Sequence, residues 1–272
     1  MPVAGAPAAG SATSMQRSIA VAATVALILA VSVLAGGAAF AQTAKPAAGG
    51  KESWQHTAAV YLLAAGMSGK SSIGNLDADV DVSFSEILDN LEIGGMAAYR
   101  GTNGQWSVMV NSLFIGLGVT KDLPLGGAAE VDFDQAMLEV DGGWHLAKSL
   151  ELYFGLRVTD IDMDLEVRPA IGADQIADDR HSWVDPLVGL RCEVPMGAKW
   201  SFIGRADVGG FGVGSDFAWQ ALTHFDWHIS KHFGVAFGYV ALDMDYEDGE
   251  GSDFFKYDIV ATGPFAAATF SF

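Results

Sequence analysis

Three polar residues at alternate positions of one segment have the types and spacing of metal ligands. His224, Asp226 and His228 form an H-x-D-x-H pattern. Alternate residues of a β-strand project to the same side, so two imidazoles and a carboxylate would converge there. His228 nevertheless lies beside the turn-like stretch "SKH", and polar side chains at the rim of a strand are normally solvated. We therefore expect no metal site here, and nothing else in the sequence predicts a cofactor.

A second polar group could supply the acid and base of a hydrolase. The stretch "DDRHSW" places Asp178 and Asp179 close to His181 and Ser182. No other pair of an acidic residue and a histidine converges with it by sequence, and histidine next to aspartate is common in polar loops. We expect no enzyme, and we retain as the alternative an enzyme that cleaves peptides or modifies lipids at this rim.

Two acidic stretches resemble calcium-binding loops at first sight. Neither has the glycine at position six and the glutamate at position twelve that an EF-hand requires. The favoured interpretation is a hydrated surface that resists aggregation, and loose binding of divalent cations is the alternative. The carboxylates are Asp160, Asp162, Asp164 and Glu166 in "DIDMDLE", and Asp243, Asp245, Glu247, Asp248, Glu250 and Asp253 in "DMDYEDGEGSD".

The composition limits the class of protein. The chain of 272 residues carries 33 acidic against 15 basic side chains, a net charge of −18, so nucleic acid is not expected as a partner. Hydrophobic residues make up 50%, dispersed in short runs that favour strands over helices. The single cysteine, Cys192, excludes an internal disulfide framework.

The first residues have the pattern of an export signal. Arg17 is followed by an apolar and small-residue run over 19–35, and Ala39 and Ala41 in "AAFAQ" fit a cleavage site. We predict a signal peptide over 1–41 that is removed, a periplasmic spacer over 42–53 and a single domain over 54–272. An uncleaved membrane anchor is the alternative that the length of the run allows.

The elements that must position these side chains are strands in a meander. We predict ten, and every second link from the first is short: "TNG", "AKS", "GAK" and "SKH". The links between them are mostly longer and acidic, namely 67–90, 119–131, 164–182 and 246–255. Short turns at one end and long loops at the other are typical of a transmembrane antiparallel up-and-down barrel. The predicted strands are 54–66, 91–101, 105–118, 132–146, 150–163, 183–195, 199–213, 217–229, 233–245 and 256–272.

The two faces of these strands differ in polarity at a period of two. In "AWQALTHFDWHIS", Trp219, Phe225 and Trp227 alternate with Gln220 and His224. A soluble barrel would have the same alternation with the faces exchanged, but the export signal, the loop asymmetry and the aromatic ends favour apolar residues facing lipid. The polar face would then form a network of ion pairs across a narrow lumen. The predicted network is Arg100, Glu139, Asp141, Glu151, Arg157, Asp185, Arg191, Arg205 and Asp207.

Three local features fit this interpretation less well. Pro186 and Pro264 lie inside predicted strands, where each removes a ladder hydrogen bond, so we expect bulges there. In "VDVSFSEILDNL", Ser83 and Glu86 have the spacing of a capping box, which predicts a short amphipathic helix in the first long loop. An irregular loop with one apolar contact is the alternative.

The carboxyl-terminal strand "GPFAAATFSF" resembles the sorting signal of bacterial outer-membrane proteins, with Phe270 and Phe272 on the lipid-facing register. The segments "VDVSFSEILDNL", "WVDPLVGLR", "DVGGFGVGSDFAW" and "GYVALDMDYEDG" resemble an uncharacterised group of small outer-membrane β-barrels of porin-like or OmpA-like build. The OmpA barrel has eight strands, which is the alternative count here. The sequence has no peptidoglycan-binding domain.

The resemblance implies a Gram-negative outer-membrane location. It implies outer-membrane lipid, lipopolysaccharide and the barrel assembly machinery as partners, and we expect a monomer. We expect a structural or membrane-integrity role, or at most a narrow porin-like channel with a charged lumen. An omptin-like protease or a lipid-modifying enzyme is the alternative function.

Overall fold

The structure is a computed structural model that describes residues 53–74, 76–123, 127–168 and 175–272. The predicted signal peptide and all but the last residue of the predicted spacer lie outside these residues. No described helix is long and apolar enough to cross a membrane. The strands are β1 (Gln55–Leu63), β2 (Gly66–Ile73), β3 (Leu76–Val82), β4 (Leu91–Thr102), β5 (Trp106–Leu123), β6 (Gly127–Ala147), β7 (Leu150–Arg168), β8 (Gln175–Pro195), β9 (Trp200–Gly209), β10 (Phe217–His228), β11 (Phe233–Asp248) and β12 (Phe255–Ser271), with one α-helix, α1 (Phe84–Asp89).

Ten of these strands close an antiparallel barrel. The order is β1, β4 and then β5 to β12 in sequence, and β12 pairs back onto β1. This confirms the count of ten over the alternative of eight. The remaining strands, β2 and β3, form a hairpin that pairs with the first half of β12, from Phe255 to Thr262. We call the end with the links at 103–105, 148–149, 196–199 and 229–232 the turn end, and the opposite end the loop end.

Several predicted loops are instead continuations of the strands. The β6–β7 ladder extends without interruption from the pair Trp144 and Leu152 to the pair Ala128 and Arg168. The β5–β6 ladder extends to the pair Leu123 and Gly127. The predicted loop 67–90 contains the β2–β3 hairpin as well as a helix. The barrel wall therefore extends well beyond the apolar segments towards the loop end.

The wall has two zones of opposite polarity. On β7 the outward positions change from Phe154, Leu156 and Val158 to Asp160 and Asp162, while the inward positions become apolar. We call the part with apolar outward side chains the spanning zone and the part with acidic outward side chains the outer zone. The same change occurs on β6, where Asp134 and Asp132 lie on the loop-end side of Leu138, and on β11, where Asp243 lies on the loop-end side of Tyr239.

Neither proline produces a bulge, so that prediction was wrong. Pro264 and Pro186 sit in uninterrupted registers with Tyr239 and Leu156. Their carbonyl oxygens accept hydrogen bonds from Ala64, between β1 and β2, and from Gly210, just past the end of β9. The N–H and C=O of one residue in an antiparallel strand point to the same neighbour. Each proline therefore lies where the neighbouring ladder is interrupted, and the missing N–H removes no ladder bond.

The predicted helix is confirmed as α1. The Ser83 side chain accepts a hydrogen bond from the backbone N–H of Glu86, and the Glu86 carboxylate accepts one from the backbone N–H of Ser83. This reciprocal capping box starts the helix. The Glu86 carboxylate also accepts a hydrogen bond from the Ser83 hydroxyl at 2.7 Å, and this bond, together with the one from the Ser83 N–H, lowers the pKa of the Glu86 carboxyl.

The wall is not sealed everywhere. The β1–β4 ladder runs from Gln55 and Thr102 to Val60 and Ala97 and stops there. Beyond that point β1 continues to Leu63 paired only with β12, and β4 continues towards Leu91 paired only with β5. We call this gap between β1 and β4 the seam, and α1 is the element between β3 and β4 that adjoins it.

Candidate functional site: a lumen in two layers

The centre of the spanning zone is an ionic layer built around Arg157. This side chain is fully buried, and the strand register places it opposite Glu139. Its Nη2 lies 2.6 Å from Glu139 Oε2 and 3.0 Å from Asp207 Oδ1. A buried carboxylate without water needs a cation or hydrogen-bond donors to stabilise its charge, and Arg157 supplies this to two carboxylates at once.

Arg205 joins the remaining members of the layer. Its Nη2 contacts Glu139 Oε1 and lies 3.0 Å from Asp141 Oδ2, and its Nε donates to the Tyr153 hydroxyl at 2.7 Å. That hydroxyl in turn donates to Asp207 Oδ2 at 2.8 Å. The guanidinium also lies over the Tyr153 ring, 4.4 Å from its centroid. Two arginines, three carboxylates and one tyrosine thus form a closed network.

A second group lies nearer the turn end. Arg100 Nη2 is 2.7 Å from Glu151 Oε2, and the Ser107 hydroxyl donates to the other oxygen of Glu151. Arg191 is 2.9 Å from Glu193 and 3.9 Å from Glu151. This group borders the central network and connects it to the mouth of the lumen.

Asp185, the remaining residue of the sequence-predicted network, has different contacts. Its oxygens accept hydrogen bonds from the backbone N–H and hydroxyl of Ser215 at 2.6 and 2.8 Å, and from Trp183 Nε1 at 3.1 Å. It thereby fixes the β9–β10 connection against the wall. The partner lies 30 residues away in a turn, so strand alternation could place Asp185 inside but could not identify Ser215.

Sequence analysis missed the residues that make room for the network. A Cβ added to Gly155 would collide with the Asp141 carboxylate, and one added to Gly189 would collide with the Tyr153 ring. Both glycines occupy inward positions, and each has an arginine two residues further along its strand, Arg157 and Arg191. Glycine on the polar face of a barrel strand is the signal that could have indicated this close approach.

An apolar layer closes the lumen above the ionic layer, inside the outer zone. Phe255 is fully buried, Trp183 stacks on Tyr246 with ring centroids 4.1 Å apart, and His181 stacks on Phe255 at 3.9 Å. Close packing of this kind leaves no room for a water-filled path. The buried members are Met137, Ile161, Trp183, Ala218, Leu242, Met244, Tyr246, Phe255, Tyr257 and Ile259.

A cavity of about 460 Å³ lies between the charged side chains and the wall formed by β1, β4, β11 and β12, and Arg100, Arg191 and Arg205 line one side of it. It exists because the inward side chains of that wall are small: Ala59, Ala98, Ala236 and Ala267 replace the long charged residues of β6 to β9. Eight strands leave an interior that side chains can just fill, so a barrel of ten retains space where those side chains are short. The cavity runs from polar residues at the turn end to the underside of the apolar layer.

The candidate chemical groups from the sequence occupy ordinary polar positions. His224 Nδ1 and Asp226 Oδ1 are 2.9 Å apart, and His228 Nε2 lies 3.4 Å from the Ser201 hydroxyl. All three line the mouth of the cavity. Among the described residues, no group of three potential ligands is arranged to hold a metal ion.

His181 lies between two carboxylates at the loop end. Its Nε2 is 2.9 Å from Asp179 Oδ1 and its Nδ1 is 3.8 Å from Asp248 Oδ2. The first contact is close but poorly aligned for a hydrogen bond. The stack on Phe255 fixes the ring against the apolar layer.

The acidic stretches form the outward face of the outer zone. Asp164 on β7 lies opposite Asp132 on β6 and Asp178 on β8. Partial burial raises the pKa of the Asp164 carboxyl, and the nearby carboxylates of Asp178 and Asp134 raise it further. These groups are close enough to repel one another.

Comparison with known proteins does not assign this chain to a family. No family model and no curated protein matches it. Solved structures of similar architecture include Ail of Yersinia pestis, with 10% identity, a TM-score of 0.36, and coverage of 81% of this chain and 99% of that one. The translocator domain of the autotransporter NalP from Neisseria meningitidis has 12% identity, a TM-score of 0.41, and coverage of 92% and 96%. Neisserial surface protein A has 9% identity, a TM-score of 0.30, and coverage of 79% and 95%.

Proposed function

We propose that the protein is an integral outer-membrane barrel with a structural, membrane-integrity role and a lumen that is closed to ions. The outer surface of the spanning zone supports the location. Its outward residues include Leu156, Leu190 and Phe237, each about half exposed. Apolar side chains exposed over a whole belt are unfavourable in water and favourable in lipid.

The aromatic residues of the turn end support an orientation with that end in the periplasm. Trp106 stacks near Trp144, and Trp200 stacks on Trp227. Aromatic girdles lie at the membrane interfaces of barrels, and the short turns lie on the periplasmic side. We propose export through the 1–41 signal, insertion as a monomer, and no catalytic activity or cofactor.

Phe270 and Phe272 are about half exposed at the same end, beside Phe233 and His56. Their outward position supports the proposal that the barrel assembly machinery reads this strand during insertion. The surrounding partners would be outer-membrane lipid and lipopolysaccharide. Divalent cations would bridge the phosphates of lipopolysaccharide and the carboxylates on the outward face of the outer zone.

One observation carries the proposed closure: two buried layers follow one another along the lumen. The ionic layer fills the side of β6 to β9, and the apolar layer covers what the ionic layer leaves open. An ion that passes along the cavity reaches Tyr257 and Ile259, which are 3% and 2% exposed. Only neutral groups, the Tyr257 hydroxyl and the amides of Gln135 and Gln220, are available there to replace its hydration. We therefore expect no conduction.

Planar bilayer recordings of the purified protein test this. We expect no ohmic steps from the wild type, and steps after the double substitution Trp183→Ala and Phe255→Ala, which removes the centre of the apolar layer. Phe237→Ala, which removes an outward-facing ring, is the matched control, and the lumen of this variant should stay closed. Ohmic steps in the wild type that shift on replacement of Arg157 or Arg205 would instead establish a narrow channel with a charged lumen.

An outer-membrane enzyme at the loop end is the second candidate. The observation that favours it is the position of His181 between the Asp179 and Asp248 carboxylates. Turnover of peptide or lipid A by the reconstituted protein, abolished by His181→Ala but not by His232→Ala, would establish it. His232 is the control because it lies at the turn end, bonded to the Ser271 carbonyl.

A further inference from the structure

The cavity and the seam meet at one level of the wall. The β1–β4 ladder stops at Val60 and Ala97, and the next inward residues, Tyr61 and Met96, line the cavity. Ile87 of α1 lines it as well. At this level the cavity is separated from the bilayer by side chains and not by a hydrogen-bonded sheet.

The helix α1 connects β3 to β4 beside the seam and carries apolar side chains on two faces. Ile87 is buried towards the cavity, whereas Phe84 and Leu88 are 38% and 55% exposed. On β1, Leu62 is 81% exposed. A helix of six residues contributes little stability of its own, so α1 can move aside at low cost. Apolar surfaces on both sides of it suit an apolar molecule that passes from lipid to lumen.

The shape of the cavity indicates a linear ligand. Its lining residues on β12 extend from Tyr257 to Ser271, which spans about 45 Å along the strand at about 3.3 Å per residue. A volume of about 460 Å³ spread along such a length is a narrow slot. The volume falls in the range of about 300–1,000 Å³ that is usual for small-molecule sites.

The lining indicates an apolar ligand with a polar end. Most of the lining is apolar, with Ala59, Leu222 and Ala261 among its members, and a few polar side chains such as Asn111 and Gln220 lie between them. A mainly apolar lining with a few polar groups suits a hydrocarbon ligand. Polar side chains collect at the turn end, where His228 is exposed. We propose that the cavity binds the hydrocarbon chain of a lipid or fatty acid, which passes sideways from the bilayer through the seam beside α1.

Photocrosslinking in lipid nanodiscs tests this with the full wild-type barrel. One sample contains a phospholipid with a diazirine on its acyl chain, and the other contains a free fatty acid with the same diazirine chain. After irradiation, mass spectrometry maps the adducts. Outward-facing Leu190 and Phe237 must be labelled in both samples, which provides an internal standard. The informative residues are Leu222 and Ala267, which face the cavity.

We expect adducts on Leu222 and Ala267 in both samples, with yields within about tenfold of those on the outward residues. A phospholipid head group remains at the interface, so its chain can reach the lumen only through the seam. Adducts from the fatty acid alone would overturn the lateral route and assign access to the mouth at the turn end. Adducts confined to outward residues in both samples would overturn the site itself.

A matched pair of substitutions separates filling of the cavity from a general disturbance. Ala267→Phe points into the slot, and its neighbour Ala266→Phe points to lipid. The first should reduce lumen adducts by about tenfold or more and leave outward adducts unchanged, and the second should change neither. If Ala267→Phe fails to give a heat-modifiable folded barrel, Ala261→Phe is the substitute. Lumen labelling that survives in the folded variants contradicts the proposal.

Discussion

The spanning zone and the outer zone are built on the same strands with opposite polarity. Along β7, Arg157 is buried in the lumen while Leu156 and Val158 face outward; four residues further, Ile161 is buried while Asp160 and Asp162 face outward. The strand geometry does not change. What changes is the solvent, because lipid surrounds one zone and water the other. Burial of charge in the lumen and burial of apolar side chains are thus two solutions to the same requirement, that the interior be filled.

The largest expected effect comes from removing the central cation of the ionic layer. Arg157→Ala leaves Glu139 and Asp207 buried next to each other without this partner, and we expect a loss of about 3–5 kcal/mol in the free energy of unfolding. Urea titration of the protein in lipid vesicles, followed by gel mobility, measures it. The control is Arg180→Ala, which removes an ion pair with Asp160 that is largely exposed in the outer zone and should cost less than about 1 kcal/mol. Equal effects would contradict the difference between the zones.

A cation placed on the outward face tests where the solvent changes. Leu156→Lys puts a charge in the middle of the apolar belt, and we expect a loss of about 2–4 kcal/mol, the range for lysine near the bilayer midplane. Asp162→Lys, six residues towards the loop end, should be nearly neutral because it faces water among carboxylates. The same titration compares the two. A harmless Leu156→Lys would show that this level of the barrel does not face lipid.

The smallest effect concerns protonation of the outer zone. Burial first, and then neighbouring carboxylates, raise the pKa of Asp164 and of Asp132 in the folded protein. An acid whose pKa is higher in the folded than in the unfolded state destabilises the fold when ionised, and protonation relieves this. The melting temperature should therefore rise by about one or two degrees as the pH falls from about 7.5 to about 5.

Asp164→Asn should flatten this pH dependence, because an amide removes one member of the repelling set. Asp253→Asn, in the exposed link between β11 and β12, is the control and should leave the dependence as it is. A melting temperature that falls steadily over the same pH interval would contradict the interpretation of the outward carboxylates as mutually repelling.

The spanning zone could be predicted from the sequence because both of its signals are local. Alternation at a period of two gave the correct faces for Leu150–Val158 and for Phe217–His228, and a capping-box spacing located α1. The outer zone was missed because charge was interpreted as loop. In "DIDMDLE" the alternation continues with Ile161 and Met163 inside, but strand-length acidic runs resemble solvated loops when the partner strands are unknown.

The interior contacts depend on pairs that are distant in the sequence. Nothing near Asp185 identifies Ser215, which lies in the β9–β10 link. Nothing near Tyr153 identifies Asp207, because the two meet only through the pairing of β7 and β9 with Gly189 on β8. The cavity likewise exists because the inward side chains of β1, β4, β11 and β12 are short. A run such as "AAATF" predicts a strand, and only the strand pairing shows that its inward residue, Ala267, lies beside Ala236 on β11, so that small side chains adjoin one another.

The pairing of β1 with β12 has a consequence for biogenesis. Thr57 lies beside Ser271, so the earliest strand of the barrel cannot find one of its two neighbours until the final strand has been delivered. A partly assembled barrel therefore has two unpaired edge strands, and each can form hydrogen bonds with a strand of another chain. Closure of the barrel must therefore wait for β12, and the unpaired edge of β1 is open to wrong pairing until then.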